Sequence, residues 1–263
     1  MDLLKQDDYK KDDLIILGCG YVGGFFLEKH PKIHVTNRNT NFSSSKNHQE
    51  IYFNLEDESS WKNIPKTKNV LWTFSAASNE NEIKKSIKFF NEHLINRNVI
   101  VLSSTSAYVH TSENEFINEK SNILLNKPRF HAEEKLRDNG ALILHLSGMI
   151  GPGRTPLNWY KKNLVSDGET ILNYIHVYDI IYFIERLFSS FKSSERFNLT
   201  SKDYKSHNNI CSELIKIGLL ENNFEFIHKH ESKKSKRVQC YKILDYFKEE
   251  GYKFKKYPED VEI

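Results

Sequence analysis

Hydrophobic positions along the chain alternate between short unbroken runs and runs with helical spacing. The stretch Leu14–Leu17 is apolar throughout, which is typical of a strand buried on both faces. Gly20–His30 then has the pattern of a helix, and Pro31 ends it. Further strands are predicted at Ile33–Arg38, Glu50–Leu55, Asn69–Ala76, Asn98–Ser104 and Ala141–Leu146.

Helices are predicted between several of these strands. One covers 79–97, and its apolar face is formed by Ile83, Ile87, Phe90 and Leu94. Another covers 129–139 and stops at Gly140. Strands that alternate with helices form βαβ units and a parallel sheet with helices on both faces. We therefore expect an α/β fold of the Rossmann type, a doubly wound parallel sheet.

The pattern changes after Gly148, where the predicted elements become shorter. Helices are predicted at His176–Phe188 and over roughly 206–218 and 240–249. No repeat and no low-complexity linker separates two halves. We expect a Rossmann-type sheet domain over residues 1–150 and a smaller C-terminal lobe over 151–263, packed on the first domain.

A glycine-rich turn, GCGYVG at 18–23, follows the first strand and opens the first helix. In this context the first glycine makes the tight turn, the second lets the backbone approach a pyrophosphate, and the third lets helix and strand pack closely. The helix N-terminus then offers N–H groups to the phosphates. The predicted cofactor contacts are Gly18, Gly20, Tyr21, Val22 and Gly23; the alternative is a plain glycine turn. With these contacts, 1–150 is predicted to be a dinucleotide-binding Rossmann domain and 151–263 the substrate lobe.

The end of the second strand favours one cofactor over the other. An acidic residue there would bind the ribose 2′-hydroxyl of NAD, but the chain has Thr36-Asn37-Arg38-Asn39. The guanidinium of Arg38 can pair with a 2′-phosphate. This favours NADP, with NAD as the alternative and an ordinary surface role for Arg38 also open.

Composition and charge exclude several classes of protein. Hydrophobic residues make up 38% and charged residues 28% of the 263 positions, as in a folded domain with a substantial core. The net charge of +3 gives no reason to expect a nucleic-acid partner. One basic cluster, His228–Arg237, is either a solvated loop or a site for an anionic ligand.

The cysteines and the N-terminus complete this picture. Cys19, Cys211 and Cys240 are isolated, so no disulfide framework and no metal site is predicted, in keeping with a reducing compartment. The polar N-terminus lacks the apolar stretch of a signal peptide. No apolar run approaches the ~18 residues that cross a membrane. A cytoplasmic protein without a membrane partner is expected.

Four segments occur in an order that resembles a known group of proteins. They are GCGYVG (18–23), SSTSAY (103–108), LHLSGMIGPGR (144–154) and YIHVYDI (174–180). Together they resemble the extended and atypical short-chain dehydrogenase/reductase families, which include the NAD-dependent epimerases and dehydratases. The C-terminal segment 235–258 is similar to an atypical subgroup described as nucleoside-diphosphate-sugar epimerase-like. The resemblance implies a small-molecule substrate, and it leaves a homodimer open because many relatives pair through helices.

The resemblance also implies a catalytic arrangement that the chain matches only in part. These families use a Ser or Thr after the fifth strand and a Tyr-x-x-x-Lys on the following helix. Ser104 matches the first position, with Thr105 as the other candidate. On the helix, Leu125 and Arg129 occupy the tyrosine and lysine positions. Arg129 is predicted to contact the cofactor, but it cannot donate a proton at neutral pH.

Several other side chains are candidates for the missing acid or base. His131 and Tyr108 are the predicted catalytic candidates besides Ser104. His145 lies in a buried strand pattern and is expected in the core. His176, with Asp179, matches a family segment that docks the C-terminal lobe.

The remaining predicted site residues come from loops that follow strands. By resemblance, the predicted cofactor contacts in these loops are Asn54, Ser75, Ala76 and Ala77. The predicted substrate contacts are Thr105, Met149 and Arg154. Two hypotheses follow: an NAD(P)-dependent oxidoreductase or epimerase that acts on a hydroxyl or carbonyl group, with a nucleotide sugar as one substrate class, or a non-catalytic NADP-binding sensor or scaffold.

Overall fold

The computed structural model describes residues 13–39, 49–226 and 234–260. Within them, the strands are β1 (Leu14–Leu17), β2 (His34–Asn37), β3 (Gln49–Tyr52), β4 (Asn69–Trp72), β5 (Asn98–Ser104), β6 (Glu115–Ile117), β7 (Leu142–Leu146), β8 (Gly148–Ile150), β9 (Tyr174–His176), β10 (Arg196–Leu199) and β11 (Lys236–Val238). The helices are α1 (Tyr21–Lys29), α2 (Glu80–Phe89), α3 (Pro128–Asp138), α4 (Pro156–Lys161), α5 (Val177–Ser189), α6 (His207–Lys216) and α7 (Tyr241–Phe247).

Seven of these strands form one sheet in the order β10-β7-β5-β4-β1-β2-β3. β1 is parallel to both β2 and β4, with Ile15 opposite His34 on one side and Val70 on the other. β5 is parallel to β4, and β3 is parallel to β2. The chain first builds outward from β1 through β2 to β3, and then returns to the other side of β1. Such a reversal leaves a crevice at the carboxyl ends of the strands. The prediction of a doubly wound, Rossmann-type sheet is confirmed.

The chain divides into two compact units, each made of several segments. Unit 1 comprises residues 1–103, 125–144 and 183–196, and unit 2 comprises 104–124, 145–182 and 197–263. The core of unit 1 contains buried aliphatic side chains from β1 and β4 with Trp61, Trp72 and Phe89. The core of unit 2 includes Tyr160 and Tyr174. The division at residue 150 stays a prediction.

The strand and helix predictions hold with shorter bounds at several ends. Asn98–Ser104 is a strand over its full predicted length. The helix predicted over 79–97 ends as an α-helix at Phe89, and a π-helical turn continues to Leu94. Its predicted apolar face is correct, since Ile83, Phe90 and Leu94 are buried.

Five strands were not predicted from the sequence: β6, β8, β9, β10 and β11. β10 has four residues and the others have three each, too few for a periodic pattern to emerge. β4 ends four residues earlier than predicted, at Trp72, because the chain leaves the sheet there to form a loop. No helix in the described part of the chain has the length and apolar character needed to cross a membrane.

Candidate dinucleotide site and the serine turn

A cleft of about 690 Å³ lies in unit 1 at the carboxyl ends of β1, β2 and β4. It therefore occupies the crevice expected where the strand order reverses. Its lining residues are Gly18, Cys19, Gly20, Thr36, Asn37, Arg38, Asn39, Phe53, Leu55, Glu56, Thr73, Phe74, Ser75, Ser78 and Glu82. Most of them come from the loops that directly follow β1, β2, β3 and β4.

The first glycine of the turn has a conformation and a setting that a side chain would disturb. Gly18 has φ +85°, and a Cβ there would lie 3.0 Å from the Phe74 ring. Its N–H donates to Thr36 Oγ1 at 2.8 Å. Thr73 Oγ1 lies 3.1 Å from the carbonyl oxygens of both Leu17 and Gly18 and donates to them. The turn is thus fixed from β2 itself and from the loop after β4.

The second and third glycines have opposite surroundings. A Cβ on Gly20 would have no heavy atom within 4 Å, so it would project into open space at the cleft. A Cβ on Gly23 would lie 2.9 Å from the carbonyl oxygen of Gly18 and 3.3 Å from Ile16 Cγ2. Gly20 therefore keeps room for a bound group, whereas Gly23 lets α1 pack against β1. These are the separate roles that a pyrophosphate-binding turn requires.

The N-terminus of α1 is arranged to receive an anion. Gly20 is the N-cap residue and supplies no side-chain acceptor, and the first turn of the helix contains no acidic residue. The N–H groups of Tyr21 and Val22 lie in this turn, while the Tyr21 ring packs on Phe25 and the Val22 side chain is buried. Uncapped N–H groups at the positive end of a helix attract phosphate. These residues fit a dinucleotide.

The loop after β2 presents a cation to the same cleft. Arg38 is exposed and lines it, and among the described residues its guanidinium has no ion pair. Asn37 Oδ1 accepts a hydrogen bond from the Asn39 N–H at 3.0 Å, which shapes this loop. No carboxylate from this loop lines the cleft. A guanidinium in this place can pair with a phosphate group.

The other predicted cofactor contacts differ in their positions. Ser75 lines the cleft, and its hydroxyl donates to the Ala77 carbonyl oxygen at 3.0 Å. Ala76 and Ala77 are buried and do not line the cleft. Asn54 does not line it either: its Oδ1 accepts from the Glu56 N–H at 3.1 Å.

Glu82 was not predicted as a site residue, although it lines the cleft at the start of α2. Its carboxylate accepts from the Ser78 N–H at 2.7 Å and from Asn79 Nδ2 at 2.9 Å. Burial raises the pKa of Glu82, but these hydrogen bonds outweigh burial and hold the pKa below its usual value. The signal in the sequence was the capping pattern Asn79-x-x-Glu82 before an apolar helix face.

Arg129, predicted at the position of the family's lysine, belongs to a network beneath β5. Its Nε donates to Glu133 Oε1 at 2.7 Å, and its Nη2 donates to the Leu102 carbonyl oxygen at 3.3 Å. Ser103 Oγ donates to the other oxygen of Glu133, which is buried. Burial raises the pKa of Glu133, and the guanidinium of Arg129 opposes that rise. His131 lies on the same helix and is half-buried.

Ser104 and Thr105 form a turn at the start of unit 2, which we call the serine turn. Ser104 is half-buried and is the N-cap of a 3-10 turn over Thr105–Ala107, where its Oγ accepts from the Ser106 N–H at 3.2 Å. Thr105 is buried. Tyr108 follows directly and is only 1% exposed, and its hydroxyl donates to Asn198 Oδ1 at 2.6 Å.

Two histidines of unit 2 lie inside its packing. His145 is 1% exposed, with its Nδ1 3.2 Å from the Ser104 carbonyl oxygen and its ring 5.0 Å from the Tyr108 ring. Burial lowers the pKa of His176 to about 4. Near it, Asp179 accepts from the Tyr252 hydroxyl at 2.9 Å, and burial raises the pKa of Asp179 to about 6.

The predicted substrate loop is a tight turn after β8. Met149 lies on β8, half-buried and opposite Ile175 of β9. Gly151 and Arg154 exchange two backbone hydrogen bonds of 3.0 and 2.9 Å. Gly153 between them has φ +72°, a conformation that glycine adopts without strain. Arg154 is exposed on this turn.

Lys236 contacts the serine turn and was not singled out by the sequence. Its Nζ donates to the Thr105 carbonyl oxygen at 2.6 Å, although the two residues are 131 positions apart. The sequence offered one signal, the basic cluster that ends at Arg237. The part of that cluster over 228–233 lies outside the described residues, while Lys236 lies in β11.

Comparison with known proteins places the chain by fold. No protein-family model matches it. Protein YeeZ of Escherichia coli (strain K12) is 27% identical over 168 residues, a match that spans 62% of this chain and 60% of the length of that relative.

Solved structures match over much more of the chain. A dTDP-glucose 4,6-dehydratase from Bacillus anthracis, solved with NAD, is 12% identical over 94% of this chain and 93% of its own, with a TM-score of 0.73. MoeE5, solved with UDP-glucuronic acid and NAD, is 14% identical over 93% and 94%, with a TM-score of 0.70. A UDP-glucose 4-epimerase from Thermotoga maritima, solved with UDP-glucose, is 14% identical over 89% and 91%, with a TM-score of 0.66. The resemblance in the sequence is thereby confirmed at the level of fold: this chain has the fold of these three proteins.

Proposed function

We propose that this protein is an NADP-dependent oxidoreductase or epimerase that acts on a hydroxyl or carbonyl group of a small molecule, with nucleotide sugars as the substrate class. The observation that carries the proposal is the division of roles among the turn glycines. Gly20 leaves the cleft open, Gly23 packs on the carbonyl oxygen of Gly18, and α1 begins without an acceptor or an acidic residue. Such a turn holds a pyrophosphate.

NADP is proposed over NAD because of the charge at the end of β2. Arg38 lines the cleft, while Asn37 and Asn39 beside it are neutral. NAD remains the alternative cofactor, since the dehydratase and MoeE5 structures that share the fold were solved with NAD. When bound, a nicotinamide cofactor supplies hydride transfer.

The substrate class is proposed from unit 2 and from the proteins that share the fold. Ser104 is half-buried, and its hydroxyl is the proposed hydrogen-bond donor to a substrate oxygen. Arg154 is exposed on the turn after β8 and is proposed to face an anionic substrate, such as the diphosphate of a nucleotide sugar. UDP-glucose and UDP-glucuronic acid are the ligands of two structures with this fold.

A second candidate function is a non-catalytic NADP-binding sensor or scaffold. It is favoured by α3, where no tyrosine occurs and where Arg129 is already paired with the buried carboxylate of Glu133. Tyr108, the tyrosine nearest to Ser104 in sequence, donates its hydroxyl to Asn198 inside the packing. The two candidates share the cofactor and differ in turnover.

The test is a fluorescence titration of the full chain with NADPH and with NADH, repeated with Arg38→Ala. A charge-assisted hydrogen bond contributes about 1.5–3 kcal/mol, so the variant should bind NADPH roughly tenfold or more weakly. Its affinity for NADH should not change. Lys32→Ala is the matched control, because Lys32 is an exposed cation of unit 1 that does not line the cleft.

Failure to bind either cofactor would reject both candidate functions. Equal losses for NADPH and NADH in Arg38→Ala would reject the 2′-phosphate contact. Turnover of UDP-glucose or dTDP-glucose with NADP+ would then decide between an enzyme and a sensor.

A further inference from the structure

Lys236 is a half-buried cation with an unusual set of neighbours. Its Nζ donates to the carbonyl oxygen of Thr105 at 2.6 Å. Among the described residues, no carboxylate lies within ion-pair distance of it. A charged group loses hydration when it is buried, and proteins usually compensate with an opposite charge. Within the described residues, the Lys236 ammonium has a carbonyl oxygen as its acceptor and no carboxylate to compensate its charge. Such an ammonium can bind a further acceptor or lose its proton.

Another lysine of unit 2 provides the contrast. Lys205 is also half-buried, but Glu213, Asp203 and Glu259 lie 2.8, 3.5 and 3.6 Å from its Nζ. Burial alone would lower the pKa of Lys205, yet these carboxylates raise it above its ordinary value. Around Lys236 burial acts without such compensation and lowers the pKa of the ammonium to about 8.

The backbone around Lys236 is held firmly. β11 pairs in parallel with β6, and Lys236 lies opposite Glu115. Asn173 brackets the strand, because its Nδ2 donates to the Lys236 carbonyl oxygen at 2.7 Å and its Oδ1 accepts from the Val238 N–H at 2.8 Å. A side chain that starts from such a fixed strand is positioned rather than merely solvated.

The charged groups near Lys236 are directed elsewhere. The carboxylate of Glu115 accepts from the N–H groups of Thr111 and Ser112, at 2.8 and 3.1 Å. Glu113 accepts from the Ser235 N–H at 3.0 Å. The Arg237 guanidinium lies 5.7 Å from the centre of the Phe116 ring.

On the side of the serine turn, His145 approaches the Ser104 carbonyl oxygen. The Lys236 ammonium therefore donates to the serine turn, and the neighbouring charged groups have other partners.

We propose that Lys236 is the catalytic residue that exchanges a proton with the substrate oxygen at the Ser104–Thr105 turn. The inference rests on the proposed function and answers the question that it leaves open, namely which group replaces the tyrosine absent from α3. An amine has three donors as an ammonium, and one of them is directed at Thr105. The described residues offer no acceptor to the other two, and these are the proposed donors to a substrate oxygen beside Ser104.

The proton balance is simple in both directions. In oxidation, neutral Nζ would accept the proton of the substrate hydroxyl and become an ammonium, and a bound oxidised nicotinamide cofactor would supply the acceptor for the hydride. In reduction, the ammonium would return that proton to the carbonyl oxygen, and the reduced cofactor would supply the hydride. An acid–base group works best when its pKa lies near the working pH.

The first arm of the test measures the amine directly, in the full chain. Lysines are acylated competitively with acetic anhydride across a series of pH values, and the labelled peptides are quantified by mass spectrometry. The labelling curve of Lys236 should have its midpoint near pH 8, well below that of Lys205 in the same sample. UDP-glucose together with NADP+ should slow the labelling of Lys236 and leave exposed Lys202 unchanged.

The second arm compares variants with UDP-glucose and dTDP-glucose as substrates. Lys236→Arg keeps a cation but cannot give up a proton at neutral pH, and Lys236→Met removes the charge. Both should lower kcat by about 100-fold or more, the contribution of a general acid or base, while NADPH binding stays within about twofold. Lys202→Met is the control, because Lys202 also donates to a carbonyl oxygen but is exposed.

The outcomes separate this inference from the proposed function. An ordinary labelling midpoint for Lys236, the absence of protection by nucleotide sugars, or a Lys236→Arg variant as active as the wild type would each overturn the inference while NADPH binding stood. A wild-type protein that binds no NADPH would instead overturn the proposed function and, with it, this role. The assignment is supported if NADPH binding is retained, the labelling midpoint of Lys236 is low, and UDP-glucose with NADP+ slows this labelling. The Lys236→Arg and Lys236→Met variants should in that case be inactive.

Discussion

Gly20, Gly23 and Gly24 allow a sharp prediction, because a Cβ would meet a backbone oxygen at Gly23 but only open space at Gly20 and Gly24. Gly23→Ala would place a Cβ 2.9 Å from the carbonyl oxygen of Gly18, a backbone atom that cannot rotate away. Gly24→Ala would place a Cβ with no heavy atom within 4 Å, one position further along the same helix. Both substitutions gain about 0.5–1 kcal/mol because alanine favours a helix over glycine. They differ only in the contact.

The magnitude follows from that contact. Relief of the overlap needs a shift of α1 away from β1, and overpacking of this kind costs typically about 1–3 kcal/mol. Gly24→Ala should therefore raise the free energy of unfolding slightly. The free energy of unfolding of Gly23→Ala should be about 2 kcal/mol lower than that of Gly24→Ala. Because the N-terminus of α1 is displaced in Gly23→Ala, this variant should also bind NADPH more weakly.

Gly20→Ala supplies the third member of the comparison. Its Cβ would enter the open space of the cleft, so NADPH binding should be lost without a matching loss of stability. Urea denaturation gives the free energies of unfolding, and fluorescence titration gives the affinities. Equal stability of Gly23→Ala and Gly24→Ala would refute the close packing of α1 on β1. Unchanged NADPH binding by Gly20→Ala would refute the proposal that the cofactor's pyrophosphate lies against Gly20.

Three further predictions concern buried polar groups. Tyr108→Phe removes the hydroxyl that donates to Asn198, so it should lower the free energy of unfolding by about 1 kcal/mol in urea denaturation and leave turnover unchanged. Glu185→Gln removes the buried charge that lies 2.7 Å from His30 Nε2 and should cost about 2 kcal/mol by the same measurement. Burial lowers the pKa of His207 to about 4, whereas the unfolded chain protonates this group near 6.5. Its contribution to stability is therefore complete above pH 6.5 and is lost as the pH falls from about 6.5 to about 4, by at most roughly 3 kcal/mol.

Each of these predictions has a result that would contradict it. A Tyr108→Phe variant that is stable but inactive would make Tyr108 a catalytic group. An unchanged free energy of unfolding in Glu185→Gln would mean that the buried charge of Glu185 does not stabilise the fold. For the pH dependence, His207→Asn is the comparison, and a wild-type protein that loses no more stability than this variant between pH 7 and about 4 would refute the assignment.

The fold and the position of the glycine-rich turn could both be predicted from the sequence. An apolar run such as Leu14–Leu17 can be accommodated only where both faces of a strand are covered, and a glycine with positive φ is a local demand of the backbone. Both signals are contained within a few residues, so they can be recognised without knowledge of the remaining chain. The apolar face of α2 was readable for the same reason, although the widening of the helix after Phe89 was not.

Which side chains meet at the cleft and at the serine turn could not be predicted from the sequence. Leu55 and Glu56 line the cleft in place of the predicted Asn54, because Asn54 closes a turn with its own neighbour. Lys236 reaches Thr105 because a pair of three-residue strands, β6 and β11, aligns distant segments of unit 2. Contacts of this kind depend on packing between segments far apart in the chain, and no periodicity or spacing within a single segment encodes them.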